Sequence, residues 1–160
     1  MKKRTLYTLL ILIAVFMCGC ASNPKNFSIG DLTITLNKGF KEQTDSNFDI
    51  YLVSDDIIFT AVNESESDVE YSGYEINSLK DYSLEIAELN KVDKNSIKQR
   101  GNYYYFVNKG TTGGANYTYV HCMFQGRSSY WICEFVCKTK NYDRFKDNIF
   151  KWADSIVINQ

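Results

Sequence analysis

Residues 103–137 constrain this chain more than any other stretch. They hold three runs rich in aromatic and β-branched residues: Tyr103-Tyr-Tyr-Phe-Val-Asn108, Asn116 to Phe124, and Ser129 to Cys137. Such residues favour strands. Two short glycine-bearing links separate the runs, Lys109-Gly-Thr-Thr-Gly-Gly114 and Gln125-Gly-Arg-Ser128. Links this short join antiparallel neighbours, because a parallel pair needs a crossover of a dozen or more residues. The stretch therefore predicts a three-stranded meander. Strand alternation places Val120, Cys122 and Phe124 on one face with Trp131, Cys133, Phe135 and Cys137, and that face reads as core. A four-residue turn, Gly126 to Ser129, sets Cys122 opposite Cys133. A two-residue turn, Gly126-Arg127, sets Cys122 opposite Trp131 instead.

The first 22 residues constrain location rather than fold. Lys2, Lys3 and Arg4 precede an unbroken apolar run, Leu9 to Met17, and then Cys18-Gly19-Cys20-Ala21. A basic head, a short apolar core and small residues at a cut site make a secretory signal. The apolar run is well short of the roughly 20 residues of a permanent membrane helix. The Gly19-Cys20 junction resembles the lipobox of bacterial lipoproteins, although Met17 stands where Leu is usual and Cys18 where Ala or Ser is commoner. That resemblance implies diacylglyceryl attachment at Cys20, cleavage before Cys20 and a protein held at the extracytoplasmic face of the cell membrane. Two acyl chains suffice for a stable tether where one does not. The expected organisation is a signal over 1–19, a lipidated polar tether over 20–26 and one domain over 27–160.

Removing residues 1–19 from 160 leaves 141, enough for one domain and too few for two of ordinary size. The signal takes three positive charges with it, leaving 15 Lys and Arg against 19 Asp and Glu, a net charge near −4. With no basic cluster, nucleic acid is not an expected partner.

Upstream of the meander, Phe27 to Leu36 alternates around Gly30-Asp31 and reads as a half-buried strand. Ile50 to Val53 and Ile57 to Val62 read as a hairpin over Ser54-Asp55-Asp56. Lys41 to Asn47 and the acidic stretch Asn63 to Tyr74 read as surface loops. Ser78 with Asp81 starts a helix whose Leu79, Tyr82, Ile86 and Leu89 share one face, ending near Asn90-Lys91. Asn141 caps a last helix, with Tyr142, Phe145, Ile149, Trp152, Ala153 and Ile156 on its apolar face.

The order is βββαβββα, a mostly antiparallel sheet of about six strands covered by two main helices, hence α+β. This order, the opening strand followed by Gly39-Phe40, and the closing aromatic helix resemble the Mog1/PsbP-like fold. The resemblance implies a fold and carries over no functional residue. Members so described are mostly non-enzymatic accessory or binding proteins, which favours that role by analogy.

Chemistry-bearing residues are few. Cys122, Cys133 and Cys137 are the only cysteines past the tether. They read as buried thiols, as a Cys122–Cys133 or Cys122–Cys137 disulfide, or as a reactive thiol. Cys133 and Cys137 are about 13 Å apart along one strand, too far to bridge. His121, the single histidine, alternates away from Cys122 and shares its face with Glu134, which reads as a surface pair. One histidine without paired ligand spacing predicts no metal site. No phosphate-binding, dinucleotide or nucleophile-elbow motif is present, and no cofactor is expected. The carboxylates Asp55-Asp56 and Glu64 to Glu70 lack calcium-loop spacing.

The 12 Tyr, 10 Phe and 2 Trp read either as a broad sheet with tyrosine on its wetter face or as a stacking platform. Tyr103, Tyr105, Tyr117 and Tyr119, flanking the Gly-rich link, are the expected contact residues. The leading expectation is a non-enzymatic, membrane-anchored binding or accessory module for a protein, peptide or glycan of the envelope. The alternative is a thiol-redox protein or small hydrolase, which needs Cys122, Cys133 or Cys137 exposed and acidic.

Overall fold

The computed structural model describes residues 24–71, 73 and 75–159. The signal and the lipidation site Cys20 lie outside them. Among the described residues no helix is long and apolar enough to cross a membrane.

The meander forms as expected and is longer. Strands β7 (Tyr103–Thr112), β8 (Ala115–Gln125) and β9 (Ser129–Lys138) pair antiparallel. Gly113 and Gly114, both at positive φ (57° and 77°), make the β7–β8 turn, so most of the Gly-rich link is strand. Two left-handed residues match the twist of a tight hairpin, and glycine adopts them without strain. The β8–β9 turn follows the four-residue option: Gln125 pairs with Tyr130 and Cys122 lies directly opposite Cys133.

Strands β4 (Ile50–Val53) and β5 (Ile57–Ser65) form the expected hairpin, its turn fastened by Ser54 Oγ, which donates to the Ile57 carbonyl at 2.9 Å. β5 pairs antiparallel with β9. Two short edge strands complete the sheet: β3 (Lys41–Gln43), where a loop was expected, and β6 (Lys98–Arg100). The order is β3-β4-β5-β9-β8-β7-β6. A polar three-residue strand suits an edge, since neither face needs to be apolar to join it.

Phe27 to Leu36 is not one strand. It is a hairpin, β1 (Lys25–Ile29) and β2 (Leu32–Leu36), turned by Gly30 at φ 54°. With the terminal β10 (Val157–Ile158) it forms a separate three-stranded sheet. The hairpin turn is held to the large sheet by Trp131, whose Nε1–H donates to Asp31 at 2.8 Å.

Three helices cover the large sheet. The acidic stretch after Asn63 is not a loop: β5 runs to Ser65 and α1 (Glu66–Tyr71) follows. Helix α2 (Leu79–Leu89) starts at Ser78, whose Oγ accepts from the Asp81 N–H at 3.2 Å. Tyr82 and Ile86 are buried under it, but Leu89 is 60% exposed. Helix α3 (Tyr142–Ala153) begins after Asn141, which makes no side-chain cap; its amide reaches toward Asp56 at 3.4 Å.

The two faces of the sheet are covered unequally. On one, α3 and the small sheet enclose the main core: Phe59, Val120, Cys122, Phe124, Cys133 and Phe135 pack with Leu32, Ile34, Ile149 and Trp152. On the other, α2 covers one end, where Tyr82, Ile86, Phe106, Met123 and Tyr130 form a smaller cluster. The other end of that face carries no helix among the described residues, and it holds the candidate site.

Candidate aromatic groove on the open sheet face

Cross-strand register builds the site. One transverse row on the open face reads Tyr51, Thr60, Glu134, His121, Phe106, across β4, β5, β9, β8 and β7. The next row reads Val53, Ile58, Val136, Tyr119, Asn108. Side chains on one face of neighbouring strands touch, so these rows make a continuous surface. Phe48, in the loop before β4, leans over it with its ring 5.7 Å from that of Tyr51. The result is a groove of about 320 Å³ walled by Phe48, Tyr51, Tyr117 and Tyr119, floored by Ile58 and Val136, with carboxylates from Asp45 and Glu134. No Lys, Arg or His is among the described residues lining it. Gly110 fits beside the Tyr119 ring: a Cβ there would lie 3.2 Å from it.

At the boundary between groove and helix-covered half sits a polar row. His121 Nδ1 is 3.0 Å from Glu134 Oε2. Its Nε2 is 3.1 Å from Asn108 Oδ1, and its ring stacks on Phe106 at 4.5 Å. The expected surface pair is therefore largely enclosed, His121 being 6% and Glu134 24% exposed. Burial disfavours charge on both. It lowers His121 to about 4 and raises Glu134 to about 7. With Asn108 Oδ1 accepting from Nε2–H, a neutral ring offers Nδ1 as acceptor, and Glu134 supplies the proton.

The structure splits the four tyrosines expected to make contact. Tyr117 and Tyr119 line the groove. Tyr103 and Tyr105 alternate to the opposite face, opposite Arg100 and Cys122. Tyr103 is 1% exposed, stacks on Phe124 at 4.9 Å and donates to Asp154 at 3.0 Å. Tyr105 packs edge-on against Phe150 at 4.9 Å. Tyr103 is a core residue, and Tyr105 is half-buried against the core. The groove's other walls, Phe48 and Tyr51, were not anticipated. Their signal was present: Ile50 and Leu52 face the core, so Tyr51 between them must face away.

Cys122, Cys133 and Cys137 are all buried and free. Burial pushes each thiol upward, away from the thiolate that nucleophilic or redox chemistry requires. Native protein is accordingly expected to resist alkylation at all three, with mass added only after unfolding. A thiol labelled rapidly in the native state would contradict this burial. A pair unlabelled even after unfolding would identify the opposed Cys122 and Cys133 as oxidised in the purified protein. Among the described residues no group of three or more His, Cys, Asp or Glu side chains could hold a metal ion.

No family model matches the chain, and no curated protein matches it by sequence. Solved structures do. A crystal structure of a Bacteroides thetaiotaomicron protein superposes with a TM-score of 0.57 at 12% identity, over 85% of this chain and 48% of that one. The present chain thus spans about half its length. The Saccharomyces cerevisiae Ran-binding protein Mog1p superposes with a TM-score of 0.54 at 7% identity, over 86% of this chain and 96% of Mog1p. The domain has the Mog1/PsbP-like fold. The solution structure of the PsbP protein CyanoP of Synechocystis gives 0.47 at 9% identity, over 88% and 96%. At such identities the likeness is one of fold, and it transfers no residue role.

Proposed function

We propose that this chain is a non-enzymatic binding module, tethered through lipid on Cys20 at the extracytoplasmic face of the cell membrane, and that the aromatic groove is its contact surface. The observation that supports the binding role is the unequal covering of the sheet. Four aromatic side chains are gathered at a stretch of sheet that no helix shields among the described residues, and large rings with polar tips are the residues from which contact surfaces draw most of their energy. A protein of the same fold, Mog1p, is a Ran-binding protein, so this framework supports protein recognition. The buried, weakly acidic thiols supply no nucleophile for the alternative thiol-based enzyme.

The tether rests on the lipobox-like Gly19-Cys20 junction. Expressed in a bacterium, the chain is expected to partition into detergent and to carry the added mass of a diacylglyceryl group on Cys20. Cys20→Ala is expected to lose the added lipid mass. Wild-type protein that carries no added lipid mass on Cys20 would refute lipid anchoring there.

A further inference from the structure

We infer that the groove binds the primary ammonium of a lysine side chain presented by a partner peptide or protein, with Glu134 as its counter-ion. This inference rests on the reading of the groove as a contact surface and names the chemistry that surface recognises.

Three properties point the same way. The lining is aromatic on its walls, and the faces of tyrosine and phenylalanine rings attract cations. Its charged groups are carboxylates only, Asp45 and Glu134, with no lining cation to neutralise them. Its floor, Ile58 and Val136, is aliphatic. A lysine side chain matches all three: the methylene stem lies on apolar surface while the ammonium meets acceptor oxygens. A volume of about 320 Å³ accepts the whole side chain rather than the charged tip alone. A primary ammonium brings three N–H donors to the carboxylates, whereas a quaternary ammonium brings none.

The polar row makes the site respond to its ligand. The titratable groups facing Glu134 are His121, Tyr117 and Tyr119 from β8, Tyr51 from β4 and Asp45 from the loop before it; β5 contributes only Thr60 and Ile58, and the lysines of this face, Lys138 opposite Tyr117 and Lys41 opposite Val53, are exposed outside the groove lining. None of these lends Glu134 a permanent positive charge, and burial holds its proton up to about pH 7. An entering ammonium supplies the missing counter-charge. Glu134 then releases its proton to solvent, an ammonium N–H takes its place as the donor between the carboxylate and His121 Nδ1, and the ion pair forms in a partly water-excluded groove. Nothing else changes protonation, since lysine is already charged. Binding therefore strengthens as pH rises, by about tenfold between pH 6 and pH 8 for a carboxyl titrating near 7.

The test uses the full chain with ring-labelled tyrosine, titrated with N-acetyl-lysine methylamide and with its uncharged norleucine counterpart. The lysine probe is expected to shift the Tyr51, Tyr117 and Tyr119 ring signals, and the norleucine probe to bind at least about tenfold more weakly, the usual worth of a hydrogen bond to a charged group. Glu134→Gln keeps a donor for His121 and is expected to lose the preference for lysine together with the pH dependence. Should that variant fold poorly, Tyr119→Leu is expected to weaken the lysine probe in the wild-type background of Glu134. Equal shifts from both probes would overturn the lysine assignment while leaving an apolar contact groove. Shifts from neither would overturn the groove as a contact surface as well.

Discussion

Replacing Phe135 with alanine is expected to cost about 3–5 kcal/mol of folding stability, the range for deleting a fully enclosed phenylalanine. Phe135 is 0% exposed on the central strand β9. Its ring lies 4.8 Å from that of Phe59 and 6.2 Å from that of Trp152, so it joins the large sheet to helix α3. Neither neighbour can collapse into the space. Phe59 is fixed on the adjacent strand opposite Phe135, and Trp152 is wedged edge-on against Phe40 at 5.3 Å. Small domains have only about 5–15 kcal/mol in total. The variant should therefore unfold at a much lower urea midpoint with an unchanged slope. A shift below about 1 kcal/mol would mean that β9 does not run through the core as described.

Glu134→Gln is expected to convert a flat stretch of the stability–pH curve into a slope. His121 is lowered to about 4 in the folded protein from an ordinary 6.5. Its contribution is present above pH 6.5 and lost as pH falls through 4. Glu134 is raised to about 7 from an ordinary 4.5. Its contribution is present below pH 4.5 and lost as pH rises through 7. Between pH 4.5 and 6.5 the unfolded chain holds one proton on histidine and the folded pair holds one on the carboxyl. Proton counts match, so the pair adds no slope there. Removing the carboxyl leaves the histidine alone, and the variant should lose stability relative to the parent as pH falls from 7 to 4.5. The difference should reach about 3 kcal/mol at the acid end, at somewhat over 1 kcal/mol per pH unit. Urea unfolding of both proteins across that range measures it. Parallel curves would show that burial does not raise Glu134, and a flat curve for the variant would show that His121 is not held neutral.

Much of the framework was legible because local signals were strong. Ser78 with Asp81 marked the start of α2, the turn residues at 54–56 marked the β4–β5 hairpin, and alternation placed all three cysteines on the core face. What could not be read was how each face is covered. Period-two alternation says which residues share a face, and nothing about whether a helix lies over it. Tyr103 and Tyr119 therefore looked equivalent, although one packs beneath α3 and the other lines open sheet. Their relative facing also depended on the β7–β8 register, which a six-residue Gly-rich link left open and a two-residue turn at Gly113-Gly114 closed. The same gap made His121 and Glu134 read as a surface pair. Their enclosure comes from Phe106, Tyr119 and the edge of the α2 cluster, none of which is local in sequence. Short polar edge strands such as Lys41–Gln43 have no pattern of their own, and only the pairing with β4 orders them.

The groove is built around a sheltered carboxyl on the open face, and the titration of Glu134 itself tests that shelter most directly. Its side-chain carboxyl carbon, followed by NMR against pH in the wild-type chain, is predicted to titrate near 7. A midpoint near 4.5, the ordinary value, would contradict the account. It would mean that water reaches Glu134 freely, that the pair with His121 is a surface contact, and that the tyrosines enclose no groove.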